Sequence, residues 1–169
     1  MPATSTTTAT IRLPDAGLPP TAEALRGEVR EFLRAERERG TIQGTSDAWL
    51  AGFDAGFSGR LGDRGWLGMT WPRRYGGHEQ PSLHRFVVIE ELLAAGAPVV
   101  AHWVTDRQSG PALLRYGTEE QRERLLPEMA RGRSFFAIGM SEPDSGSDLA
   151  SVRTTARRDG AGWRLNGTK

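Results

Sequence analysis

Nine residues hold most of the chemistry this sequence can offer: Met140-Ser141-Glu142-Pro143-Asp144-Ser145-Gly146-Ser147-Asp148. The run carries three hydroxyls, a glycine and a series of main-chain N–H groups. Small residues let a backbone approach a ligand closely, and successive N–H groups can hold a phosphate or the polar rim of a heteroaromatic ring. Three carboxylates oppose a bare anion. Any phosphate there must be held by N–H and hydroxyl groups, with the acids turned away. The competing reading is a polar connecting loop of Asx and Ser turns.

Other candidates are thinner. His78, His84 and His102 fit no metal-ligand spacing, and His78-Glu79 is kept from an HExxH pattern by Pro81 and the gap to His84. Glu90-Glu91 could serve as an acid/base pair, but such a pair more often flanks a buried helix, solvated or ion-paired. Gly160-Ala161-Gly162 lies in a hairpin pattern, whereas a dinucleotide fingerprint needs a strand before it and a helix after it. Spacing alone suggests no Ser/His/Asp triad. Trp66, Trp71 and Trp103 read as core rather than as stacking platforms.

The elements that must position these residues are mostly helical. Thr21 is a plausible N-cap for a helix carrying Leu25, Val29, Phe32 and Leu33, and Gly40 stops it. A weaker pattern uses Trp49, Leu50, Phe53, Phe57 and Leu61, with Gly52 and Gly56 inside it. Gly65 to Pro72 is irregular, and Tyr75-Gly76-Gly77 is a turn. Ser82 can cap a helix to about Ala95, whose Phe86, Val87, Ile89, Leu92 and Leu93 predict a central, buried position. A further helix is expected from Val99 to Tyr116, with a possible break at Gly110-Pro111 and Gly117 at C′. Thr118 and Gln121 match a capping box for a helix with Leu125, Leu126 and Met129, which Pro127 should kink or restart.

The pattern changes at Gly132. Phe135 to Ser141 reads as extended, and Val152 to Leu165 as a hairpin turning at Asp159-Gly160-Ala161-Gly162. The last 35 or so residues are therefore expected to be β. Two or three strands alone are marginal and leave open edges, which suggests a truncated protein.

Composition narrows the function. The 169 residues include 21 Gly and 10 Pro, no Cys, and 22 basic against 21 acidic residues. Absence of cysteine excludes disulfides, thiol nucleophiles and Cys-ligated metals. Lys169 is the single lysine; the other basic residues are arginines interleaved with acids, which argues against nucleic-acid binding. No run is long and apolar enough to span a bilayer. Met1 to Thr10 lacks the pattern of a secretory signal. The sequence reading is a soluble, cytoplasmic protein with a disordered tail over residues 1–20.

Ser141 to Asp148 resembles the TEPGAGSD-type motif of flavin-dependent acyl-CoA dehydrogenases. Tyr116-Gly117-Thr118-Glu119-Glu120-Gln121 with Leu126-Pro127 and Gly132 resembles the family's YGTEEQ…LP…G stretch. Trp71-Pro72 with Tyr75-Gly76-Gly77 resembles its P…YGG turn. Thr154 to Gly160 and Leu165 to Lys169 resemble the hairpin before its second flavin segment. The resemblance implies a mainly α fold: a helical N-terminal domain over 21–133, then the first strands of an incomplete β-barrel over 134–169.

It also implies FAD. On that resemblance Ile138, Met140, Ser141, Gly146 and Ser147 bind the cofactor: Met140 through its backbone, Ser141 through its hydroxyl to the isoalloxazine, and Ser147 at the pyrophosphate. Ser147 also lies near the acyl-CoA substrate, while Glu142, Pro143 and Asp144 shape the turn. Asp144-Ser145 replaces the commoner Gly-Ala. Helices from Ser82 to Tyr116 would wall the acyl pocket. The implied partners are an acceptor such as electron-transfer flavoprotein and other subunits in a homo- or hetero-oligomer. No residue of this chain is assigned as the catalytic base. Rival readings are an acyl-CoA oxidase, a flavin monooxygenase, or a non-catalytic assembly module.

Overall fold

The computed structural model describes residues 17–44, 47, 50 and 52–169. Most of the tail expected over residues 1–20 and Trp49 of the second helical pattern lie outside them. Helix α1 spans Pro20–Glu38 and α2 spans Ala55–Asp63. A 3₁₀ turn, Arg73–Tyr75, precedes α3, Ser82–Ala94. Helix α4 (Val100–Val104), a π turn (Thr105–Ser109) and α5 (Gly110–Tyr116) follow one another without a break. Helix α6 is Glu119–Ala130. A short 3₁₀ turn, Leu149–Ser151, leads to the antiparallel strands β1 (Thr155–Asp159) and β2 (Gly162–Asn166).

Helix starts depart from the expected caps. Pro19 is the N-cap of α1, so Thr21 sits inside the first turn. Pro81 is the N-cap of α3, so Ser82 is the first helical residue. In both cases a rigid proline sets the entry angle with no side-chain cap bond. Helix α2 begins later than the pattern suggests. Asp54 caps it by accepting the Phe57 N–H at 2.7 Å, and Phe53 instead bridges to Val99. The capping box of α6 is present: the Thr118 hydroxyl accepts from Gln121 N–H, and the Gln121 side-chain Oε1 accepts from Thr118 N–H.

Gly110-Pro111 does not break the helix. The Gly110 N–H bonds Thr105 O, five residues back, so the wider π turn absorbs the proline that follows. Gly110 has another reason to be glycine: an added Cβ would lie 2.1 Å from the Trp71 ring. Gly117 is extended rather than left-handed, because its N–H bonds Leu113 O at 2.9 Å and that close approach leaves a Cβ only 2.7 Å from the same oxygen. Pro127 sits within α6, which continues to Ala130. The Tyr75-Gly76 turn packs against it, with the Cβ position of Gly76 3.1 Å from Pro127 Cα. The Tyr75 hydroxyl donates to the Glu119 carboxylate at 2.8 Å. The turn motif and the capped helix thus form one unit around Trp71, Tyr75, Leu126 and Met129.

The larger core joins α1, α2 and α3 through Val29, Phe32, Phe57, Leu61, Trp66, Val88 and Leu92. Trp71 is also buried, whereas Trp103 is half-buried. Helix α3 is central on one side only. Val87, Val88 and Leu92 are buried, but Phe86 is 53% and Leu93 41% exposed. Its five apolar positions cover more of the circumference than the surrounding helices bury.

Phe135 to Ser141 forms no ladder, contrary to the expected first strand. It is irregular and finds no strand partner among the described residues. What holds it is the π turn: Phe136 N–H donates to Thr105 Oγ1 at 2.8 Å. The expected hairpin is present, in the register Thr155↔Asn166 to Asp159↔Gly162, and both strands are exposed along their length.

Candidate functional site

The loop from Ile138 to Asp148 leaves the helical body at the π turn and is fastened to the hairpin chiefly around the Glu142 carboxylate. The Glu142 carboxylate accepts from Arg153 N–H at 2.6 Å and from Thr154 N–H at 2.9 Å. Lys169 Nζ lies 3.1 Å from the same carboxylate and donates to Met140 O at 2.8 Å. The Arg153 main-chain N–H first, and then Thr154 through its side chain and its N–H, hold the Glu142 carboxyl down at about 2. This acid is turned inward, as a phosphate-holding loop would require. Glu142 and Ser145 also exchange main-chain bonds across the tight turn.

Within the turn Ser145 is the buried hydroxyl. It donates to Asp148 O at 2.6 Å and accepts from the Ser151 hydroxyl at 3.0 Å. Ser141, Gly146 and Ser147 are exposed. Ile138 and Met140 are 44% and 56% exposed. The main-chain N–H groups of Ile138, Met140 and Ser141 have no donor-side partner among the described residues. The segment therefore offers two apolar side chains, two hydroxyls and several amides on one stretch of chain, stiffened from behind by Glu142 and Ser145. The turn of Glu142-Pro143-Asp144 follows the expectation; the lysine that completes it left no local signal in the sequence.

The weaker candidates stand elsewhere. Glu90 pairs with Arg26, and Glu91 accepts from Arg30 at 2.8 and 2.9 Å, tying α1 to α3. His84 bonds Gln80 and Thr21, and His78 packs beside Gly65. His102 is buried, with Nδ1 2.8 Å from Ser58 Oγ, and burial pushes its pKa down to about 4, leaving it neutral at neutral pH. Among the described residues no group of three His, Asp or Glu is placed to hold a metal. No helix among them is long and apolar enough to cross a membrane.

Comparison with known proteins fits this geometry. Residues 19–133 match the family model described as the acyl-CoA dehydrogenase N-terminal domain. The chain is 35% identical over 154 residues to the acyl-CoA dehydrogenase FadE26 of Mycobacterium tuberculosis, covering 89% of this chain and 38% of that protein. The ChsE4-ChsE5 complex of the same organism superposes with a TM-score of 0.73 and 33% identity, over 93% of this chain and 39% of the matched chain. A glutaryl-CoA dehydrogenase of Mycobacterium smegmatis in complex with FADH2 superposes with a TM-score of 0.71 and 30% identity, over 89% and 38%. The chain spans about two fifths of the length of these relatives. On the family model and the matched relatives together, this chain belongs to the acyl-CoA dehydrogenase family.

Proposed function

We propose that this chain supplies the helical N-terminal domain (21–133) and the opening of the middle β-barrel (134–169) of an FAD-dependent acyl-CoA dehydrogenase. The observation that carries this reading is the Glu142-fastened loop with its outward hydroxyls and amides. Its donor set suits a flavin. Ile138 and Met140 present apolar surface to the face of a ring, and the amides and hydroxyls can meet the ring's polar edge. When bound, FAD supplies the acceptor for the hydride lost in α,β-dehydrogenation of an acyl-CoA thioester.

The roles in this chain are divided. Met140 N–H and the Ser141 hydroxyl orient the isoalloxazine. Gly146, where nothing lies within 4 Å of an added Cβ, leaves the turn open to the pyrophosphate, which Ser147 bonds. The Ser147 main chain faces the acyl-CoA. Helices α3 to α5 wall the acyl group. Electrons pass to an acceptor such as electron-transfer flavoprotein, and the whole protein is an oligomer. The structural relative that is a ChsE4-ChsE5 complex supports that last point.

No residue of this chain is assigned as the base: Glu142 is engaged by two amides and Lys169, Glu90 and Glu91 are paired with α1, and Asp144 and Asp148 lie exposed on the turn itself. The purified 169-residue chain, supplied with FAD, a saturated acyl-CoA and a dye acceptor, is therefore expected to show no turnover. Dye reduction dependent on the acyl-CoA would contradict this division of roles.

A further inference from the structure

Between α3 and the α4–π turn lies an open groove of about 340 Å³, in the size range of about 300–1,000 Å³ that small-molecule sites occupy. Its walls are Phe86, Ile89, Leu93 and Trp103, and its charged members are Arg85 and Arg107. Two arginines among apolar side chains call for an explanation. Arg107 is exposed, lies 4.6 Å over the Trp103 ring, and has no carboxylate within ion-pair distance among the described residues. Arg85 touches Asp106 only at 3.5 Å, and its Nε is buried with no hydrogen-bond partner. Asp106 lies behind the groove, in an adjoining cavity that shares Arg85, Ile89, Trp103 and Arg107; its other oxygen accepts Gly68 N–H at 2.7 Å, and burial raises its pKa against the pull of Arg85 and Arg107. The groove is thus apolar in body and positive at one side.

We propose that this groove binds a hydrophobic carboxylate. Its apolar body lies on Phe86, Ile89, Leu93 and Trp103, and its carboxylate meets the exposed Arg107, with the Arg85 guanidinium beside it. Guanidinium is the group best matched to a carboxylate, and stacking on Trp103 pre-orients it. The same chemistry has two sources: a free carboxylic acid, or an acyl-CoA whose acyl group ends in a second carboxylate. The thioester source rests on the function proposed above; the free-acid source does not.

The test uses the chain without flavin and follows the Trp103 indole N–H by NMR, assigned with Trp103→Phe. Octanoate is titrated against octanol, which has the same body without the charge. Octanoate is expected to bind about tenfold or more tightly, and Arg107→Gln to remove that preference while leaving octanol unchanged. Equal binding of octanoate and octanol, or no shift with either, overturns the proposal. Octanedioyl-CoA and octanoyl-CoA then separate the sources. A preference for the dioyl thioester that Arg107→Gln abolishes assigns the groove to the acyl end of a thioester. Equal binding of the two thioesters beside a retained octanoate preference assigns it to a free acid. Because no arm uses FAD, failure of the flavin reading leaves this outcome intact.

Discussion

Replacing Gly132 by alanine is expected to destabilise the chain by about 3–5 kcal/mol, a large share of the ~5–15 kcal/mol that holds an ordinary domain together. Two costs combine. Gly132 has φ of +65°, a left-handed conformation that penalises a Cβ. The added Cβ would also lie 2.1 Å from the Ser58 carbonyl oxygen, which is main chain of α2 and cannot swing aside. Gly62 makes the reciprocal contact, its Cβ position being 2.3 Å from the Arg131 carbonyl. The end of α6 is therefore pressed against α2, and that contact aims the chain toward the Ile138–Asp148 loop. Gly59→Ala is the control. It lies in α2 with nothing within 4 Å of a Cβ, and should gain about 0.5–1 kcal/mol. Urea denaturation measures both. An unchanged midpoint for Gly132→Ala would show that the contact can relax.

Glu142→Gln is expected to free the loop from the hairpin without unfolding the helices. A glutamine keeps one acceptor oxygen, so one of the Arg153 and Thr154 N–H groups loses its partner, and Lys169 loses its counter-charge. Hydrogen exchange at those two amides should quicken about tenfold or more, while amides of α1 and α6 stay protected. The pH dependence follows from the sign of the shift. The Glu142 pKa is depressed from 4.5 to about 2, so its contribution is complete above the ordinary carboxylate value and is lost as pH falls through about 2. The glutamine variant should lack that acid step. Equal exchange in wild type and variant would mean that the carboxylate does not fasten the loop.

Much of the helical part was legible from local signals. Periodicity located α1, α3 and α6, and the Thr118–Gln121 box marked the start of α6. The hairpin turn was equally local. What the sequence did not reveal depends on distant contacts. Gly110 reads as a breaker in sequence, but its role is to admit the Trp71 ring. Gly117 reads as a left-handed stop, yet it is extended because of its approach to Leu113 O. Phe135 to Ser141 has the composition of a strand, and a strand needs a partner that composition cannot supply. At the site, the hydroxyl-rich run was visible as a run. Which of its serines turns inward was not, since Ser145 is chosen by Asp148 O and Ser151 in three dimensions. Lys169 reaches back across 29 positions to Met140 O, a pairing no window of sequence contains.

The central claim is that this loop is one half of a flavin grip, and titrating FAD into the purified chain tests it most directly. The expected result is weak, saturable binding by calorimetry that falls by about tenfold or more in the double variant Ser141→Ala, Ser147→Ala. Both serines are exposed, so the helices should be unaffected. Absence of binding up to the solubility of FAD, or binding that the double variant leaves unchanged, would contradict the account.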